Sequence, residues 1–178
     1  MFAGRPSGAI VRVDRAMPKP LDSHIVPVRS GENLAAAATL FRAYAGALDV
    51  DLAYQDFAAE LAALPGKYAP PKGALLLARK ADGAAAGCVA LRPLAEDGIC
   101  EMKRLYIAPE GRGAGLGRRL VEAIVAEARR IGYREMRLDT LPTMTEAIAL
   151  YRSLGFEPTP AYYDCPIAGT LFLRLRLD

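Results

Sequence analysis

Between Pro109 and Val121 the chain reads Pro-Glu-Gly-Arg-Gly-Ala-Gly-Leu-Gly-Arg-Arg-Leu-Val, with glycines at 111, 113, 115 and 117. An apolar, strand-like run ends just before this stretch, and a long helical pattern begins inside it. No other feature constrains the fold as tightly. A helix start leaves backbone N–H groups unpaired, and the helix dipole adds partial positive charge there. Glycines let the backbone approach a ligand closely and adopt φ > 0. Arg112, Arg118 and Arg119 add full charges. Together these describe a turn built to hold a phosphate-bearing ligand, above all a pyrophosphate.

Three phosphate-binding patterns compete for the turn. The P-loop requires GxxxxGK[ST], and neither Lys nor Ser/Thr follows these glycines. The dinucleotide fingerprint GxGxxG is never met in this register, and the preceding strands are expected to be antiparallel. The third, R-x-x-G-x-G, reads as Arg112, Gly115 and Gly117.

The surrounding pattern supplies a scaffold. A strand opens at Ser23–Ser30, and apolar residues at Leu34, Ala37, Ala38, Phe41 and Ala45 recur at helical spacing. A second short helix is expected over 53–64, stopped by Pro65-Gly66. Strands at 74–80, 86–94 and 98–108, turning at Asp82-Gly83 and Ala95–Gly98, form an antiparallel meander. From 115 to 131 Leu116, Leu120, Val121, Ile124, Ala128 and Ile131 line one helical face, and Gly132 stops the helix. A strand at 135–141, a helix at 144–154 capped by Gly155, and strands at 159–164 and 169–177 complete the order. Strand 98–108, helix 115–131 and strand 135–141 form a βαβ crossover, which pairs its strands in parallel. The fold class is therefore α+β: a mixed, mostly antiparallel sheet of six to seven strands flanked by about four helices. Residues 1–22, rich in Pro, Gly and Arg, read as a loose extension with room for one added strand at 9–13. Residues 23–178 read as a single domain.

Composition narrows the chemistry. At 178 residues and 52% hydrophobic, the chain has enough apolar surface for one real core. A net charge of +3 is too weak to argue for nucleic acid, and the few cations of the extension lack interleaved aromatics. No apolar run has membrane-spanning length. Three cysteines, an odd number without a CxxC, read as reduced thiols of a cytoplasmic protein. His24 is the only histidine, which argues against a His-rich metal site and a Ser-His-Asp triad. No metal is expected. Carboxylates, tyrosines, backbone amides or a cofactor must carry whatever reaction occurs.

The R-x-x-G-x-G turn is accompanied by a second signature, Ala149-Leu-Tyr-Arg-Ser-Leu-Gly-Phe-Glu157, with one strand between the two. On this pair of motifs the chain resembles the GNAT superfamily of N-acetyltransferases. The motifs cover about 98–157, and the element order extends the likeness to about 23–178. The resemblance implies acetyl-CoA as cosubstrate. It places the pyrophosphate on amides of Arg112, Gly113, Ala114, Gly115, Leu116, Gly117 and Arg118. It runs the CoA arm along the backbone of Leu105, Tyr106 and Ile107, with an N–H near Leu105 facing the thioester oxygen. It further implies that strand 98–108 splays from its parallel neighbour to open a slot.

Acetyl transfer to an amine needs a base and an acid. A free alkylamine has a pKa near 10.4, so about one molecule in 10³ is neutral at pH 7. Glu101, eleven residues before Arg112, matches the offset of the family's general base, while Lys103 on the same strand face is its alternative, structural partner. Asp139 and Glu146 are weaker candidates for the base. Tyr151 matches the tyrosine that approaches the CoA sulfur and would protonate the thiolate. A covalent route through Cys100 lacks a neighbouring histidine. Met144 departs from the pattern, since many members carry Asn there; Thr143 or Thr145 would substitute. The acceptor is expected among Arg42, Tyr44, Gln55, Tyr162, Tyr163 and Asp164, and a small-molecule primary amine is favoured, attacked directly in a ternary complex. An acyl-CoA-sensing domain without turnover is the alternative. Many relatives are dimers, although no segment of this chain names an interface.

Overall fold

The computed structural model describes residues 22–177. The extension expected over 1–22, with its added strand, lies almost wholly outside them. The described chain runs β1 (Ser23–Pro27), α1 (Gly31–Gly46), α2 (Phe57–Ala62), β2 (Ala74–Lys80), β3 (Ala85–Pro93), β4 (Ile99–Ile107), α3 (Leu116–Ile131), β5 (Glu135–Thr140), α4 (Thr145–Ser153), β6 (Glu157–Pro158) and β7 (Leu171–Arg176). One seven-stranded sheet holds them in the order β1-β2-β3-β4-β5-β7-β6. Among the described residues only β4 and β5 pair in parallel, and the other pairings are antiparallel.

The alternation of side chains along the strands divides the core into two layers. Leu76, Val89, Leu91, Met102, Met136 and Leu138 face α3 and α4, where Leu120, Ile124, Tyr151 and Phe156 cover them. Leu75, Leu77, Cys88 and Ala90 face the other way, onto Leu40, Phe41 and Tyr68. Both faces of β2 and β3 are thus covered, which is why these strands read as nearly continuous apolar runs. Each fully buried Leu contributes about 1.5–3 kcal/mol.

Two expectations are corrected. The second helix is not continuous: a 3-10 turn at Leu52–Gln55 precedes α2, and Asp56 between them takes φ 55°. The strand at 159–164 does not form. Pairing with β7 stops at Pro158, and Pro160 follows two residues later. Proline has no N–H to continue a ladder. The residues beyond make a loop whose Tyr162 and Tyr163 pack edge to face on each other and on Phe172 of β7.

Candidate active site

Parallel pairing between β4 and β5 covers only Ile99↔Glu135, Cys100↔Met136 and Glu101↔Arg137. Beyond that point both strands continue without pairing to each other. The edge of β4 from Met102 onward is left without a strand neighbour on that side. On its other edge β4 carries a bulge: Cys88 pairs with Tyr106 but Ala90 with Lys103, so Arg104 and Leu105 together oppose Val89. Arg104 takes φ 59° there, a conformation costing a non-glycine residue about 1–2 kcal/mol. Its guanidinium offsets that cost. It grips both carboxylate oxygens of Glu60 at 2.8 Å and Gln55 Oε1 at 2.9 Å, and it lies over the rings of Phe57 and Tyr44. Burial pulls the Arg104 pKa down, the Glu60 contact outweighs it, and the net direction is up.

A cleft of about 760 Å³ runs from this bulge to the start of α3. Leu105, Tyr106 and Ile107 form one wall, and Arg112, Gly113, Gly115, Leu116, Gly117 and Arg118 form its head. Ala114 belongs to the same turn without lining the cleft. Gly113 and Gly115 take φ of 77° and 74°, so side chains there would be strained. Gly115 caps α3 without any side-chain bond. Arg112 N–H bonds back to Pro109 O, and the next main-chain donor so used is Arg119, bonded to Gly115 O. Among the described residues, the amides of 113–118 therefore meet no acceptor. Arg112 donates to Ile107 O at 3.2 Å, and Arg118 reaches Ser153 Oγ at 2.7 Å. Arg119 does not join them: it turns away to Ser23 of β1.

Where the strands part, a second, inner cavity of about 30 Å³ opens, lined among others by Lys103, Asp139, Thr140 and Tyr151. Lys103 Nζ on β4 donates to Asp139 Oδ1 on β5 at 2.7 Å, so a side-chain bridge crosses the gap at the position where backbone pairing would have continued. Burial raises the Asp139 pKa and Lys103 lowers it, with a net shift down. Tyr151, buried and tilted against Phe156, has its pKa pushed up by burial and then by Tyr44 and Asp139.

Glu101 lines neither cavity. It is fully buried, accepts Arg92 Nε at 2.6 Å and the Tyr162 hydroxyl at 2.8 Å, and lies 3.8 Å from Lys103 Nζ. Glu146 lines the outer cleft. Cys100 is buried, with its thiol pushed up to about 12 by burial. Of the acceptor candidates, Tyr44 lines both cavities, Gln55 is engaged by Arg104, and Arg42 and Asp164 are exposed. The network of Arg92, Lys103, Arg104, Glu60 and Asp139 was not assembled from sequence. The available signal was the charge alternation Glu101, Lys103 against Arg137, Asp139, which puts polar side chains on a sheet face that helices also cover. Among the described residues no cluster of His, Cys, Asp and Glu could hold a metal, and no helix is long and apolar enough to cross a membrane.

Comparison with known proteins adds the family dimension. Residues 34–156 match the acetyltransferase (GNAT) family. An uncharacterized N-acetyltransferase of Schizosaccharomyces pombe is 42% identical over 162 residues, covering 91% of this chain and 99% of its own length. A GNAT-family acetyltransferase of Staphylococcus aureus superposes with a TM-score of 0.73 at 15% identity, over 88% of this chain and 99% of the other. A Salmonella typhimurium structure solved with its cofactor acetyl-CoA gives a TM-score of 0.66 at 23% identity, over 88% and 95%.

Proposed function

The chain belongs to the acetyltransferase (GNAT) family, and from that premise we propose that it moves the acetyl group of acetyl-CoA onto a primary amine of a small molecule by direct attack in a ternary complex. One observation carries the reading: unpaired amides at 113–118 stand at the head of a cleft whose wall is the strand edge that β5 has left free. The amides and Arg118 suit a pyrophosphate, and the free edge at Leu105–Ile107 suits a pantetheine arm that bonds to main chain as an added strand would. The bulge supports an N–H donor at Leu105 turned to the thioester oxygen, a contact worth about 3 kcal/mol as negative charge develops there.

Attack forms the C–N bond and expels the CoA thiolate. Tyr151, on the inner cavity, is the donor we assign to that sulfur. The acceptor arrives as an ammonium and must lose a proton before it attacks, and carboxylates stand near the slot. Asp139 stands on the cavity wall, while Glu101 lies behind it and is connected through Lys103, so Glu101 acts on the site through that chain. Lys103 lowers the basicity of Asp139; the carboxylate therefore attracts the ammonium, and water in the slot carries off the proton. Residues 23–178 act as one catalytic domain in this reading.

A thermal-shift screen with acetyl-CoA, NAD and ATP tests the cosubstrate, since a ligand of the folded state raises its melting temperature. Acetyl-CoA is expected to shift it and the nucleotides are not. Thiol release across an amine panel then separates an enzyme acting on a small amine from a sensor; binding without product from any amine would overturn the acceptor assignment.

A further inference from the structure

Tyr44, Leu105 and Met144 line both the outer cleft and the inner cavity, so they frame the opening between the two. The disparity in size matters. The outer cleft measures about 760 Å³ and the inner cavity about 30 Å³, not far above the roughly 10–15 Å³ a cavity needs to admit a single water. The first has room for a long thioester carrier, the second only for a small group at its tip.

Most walls of the inner cavity are held fast. Leu138 and Met102 belong to the core, at 1% and 3% exposure. Tyr151 is wedged against Phe156, the Lys103–Asp139 bridge closes the floor, and Arg104 is anchored to Glu60. Met144 differs. It precedes the first turn of α4, is half-buried, and is steadied by the Thr140 hydroxyl, which donates to its Sδ at 3.7 Å. An unbranched thioether fills irregular space well, and here it lines the opening from both sides. Met144 stands where many members of the family carry a polar Asn, which would fill that space differently.

We infer that Met144 sets the acyl-chain limit of the enzyme: its side chain leaves room for a two-carbon acyl group and excludes a four-carbon one. This rests on the acyl-transfer reading above and specifies the donor at its reacting end.

The decisive measurement needs no acceptor. Dissociation constants of CoA, acetyl-CoA and butyryl-CoA are compared by calorimetry for the wild-type protein, Met144→Ala and Met144→Leu. A single methylene in a fitted pocket discriminates by about 10–200-fold, so wild-type protein is expected to bind butyryl-CoA at least about tenfold more weakly than acetyl-CoA. Met144→Ala should bring the acetyl- and butyryl-CoA constants, each taken relative to the same variant's constant for CoA, within about threefold, and Met144→Leu, of similar bulk, should keep the wild-type order. Equal wild-type affinity for acetyl- and butyryl-CoA, or an unchanged ratio in Met144→Ala, overturns the inference alone. Failure of every CoA species to bind overturns the acyl-transfer reading and this one with it.

Discussion

On the α3 side of the cleft the amides of 113–118 meet no acceptor among the described residues, and the arginines beside them are exposed. Across the sheet, Arg92, Lys103 and Arg104 are each in contact with a carboxylate, of Glu101, Asp139 and Glu60 respectively. The first region keeps its hydrogen-bonding capacity open for a ligand. The second has spent most of its capacity internally, fixing β4 and its bulge against α2 and β5. Unpaired polar groups are tolerable at the cleft head because water or a ligand reaches them. In the buried network an orphaned charge would be costly, so the charges there are paired. In the function proposed above, one region binds and the other holds the binding edge in place, and substitutions should separate these roles.

The largest effect is expected in the holding region. Arg104→Met leaves Glu60 and Gln55 without their partner and should cost about 3–5 kcal/mol of stability, read from the urea midpoint at an unchanged m-value. A midpoint that does not move would mean the bulge does not depend on that anchor. Next comes chemistry: Tyr151→Phe should lower kcat by about 100-fold while the acetyl-CoA Kd stays within about twofold. Unchanged kcat would remove Tyr151 from the protonation step. In the binding region Gly117→Glu puts a carboxylate among the open amides at a helical position that requires no positive φ. The acetyl-CoA Kd should rise by about 50-fold with little change in melting temperature, the reverse of the Arg104 pattern.

Acid sharpens the contrast. Net of burial, Asp139 and Glu60 have folded pKa values below their ordinary 3.8 and 4.5. Their stabilisation is fully present above those ordinary values and is lost as pH falls through the depressed folded ones. The urea midpoint should therefore hold from neutrality to about 4.5 and then fall. In Asp139→Asn the fall should be shallower from a lower start; an identical acid limb would show that the Lys103 bridge contributes nothing. Arg118→Ala is the smallest change. Its side chain is about half exposed and already shared with Ser153 and Glu122, so the acetyl-CoA Kd should rise by only about threefold. A tenfold loss would make the side chain, rather than the backbone, the principal phosphate ligand.

The geometry of the turn at 113–118 was legible in the sequence because it is set by main-chain chemistry. Glycines at 113 and 115 announce positive φ, and the apolar periodicity from Leu116 to Ala128 announces the helix whose start they form. Strands β2 to β4, α3, α4 and the parallel pairing of β4 with β5 were likewise readable from period and turn chemistry. The loop at 159–170 was not, since its aromatic residues mimic a strand and only the prolines argue otherwise.

What the chain's residues determined alone was local: a strand, a bare turn, a helix, and the sheet order those periods imply. Tertiary structure decided that pairing between β4 and β5 stops after Glu101, that Lys103 reaches Asp139 across the gap, and that Glu101 is enclosed by Arg92 and Tyr162. The reason is physical. Glycine and helix signals act between near neighbours in the chain, whereas ion pairs such as Lys103–Asp139, and the bulge that Arg104 anchors to Glu60, join residues some 36 to 44 positions apart, and their strength exists only once the sheet and its covering helices have excluded water.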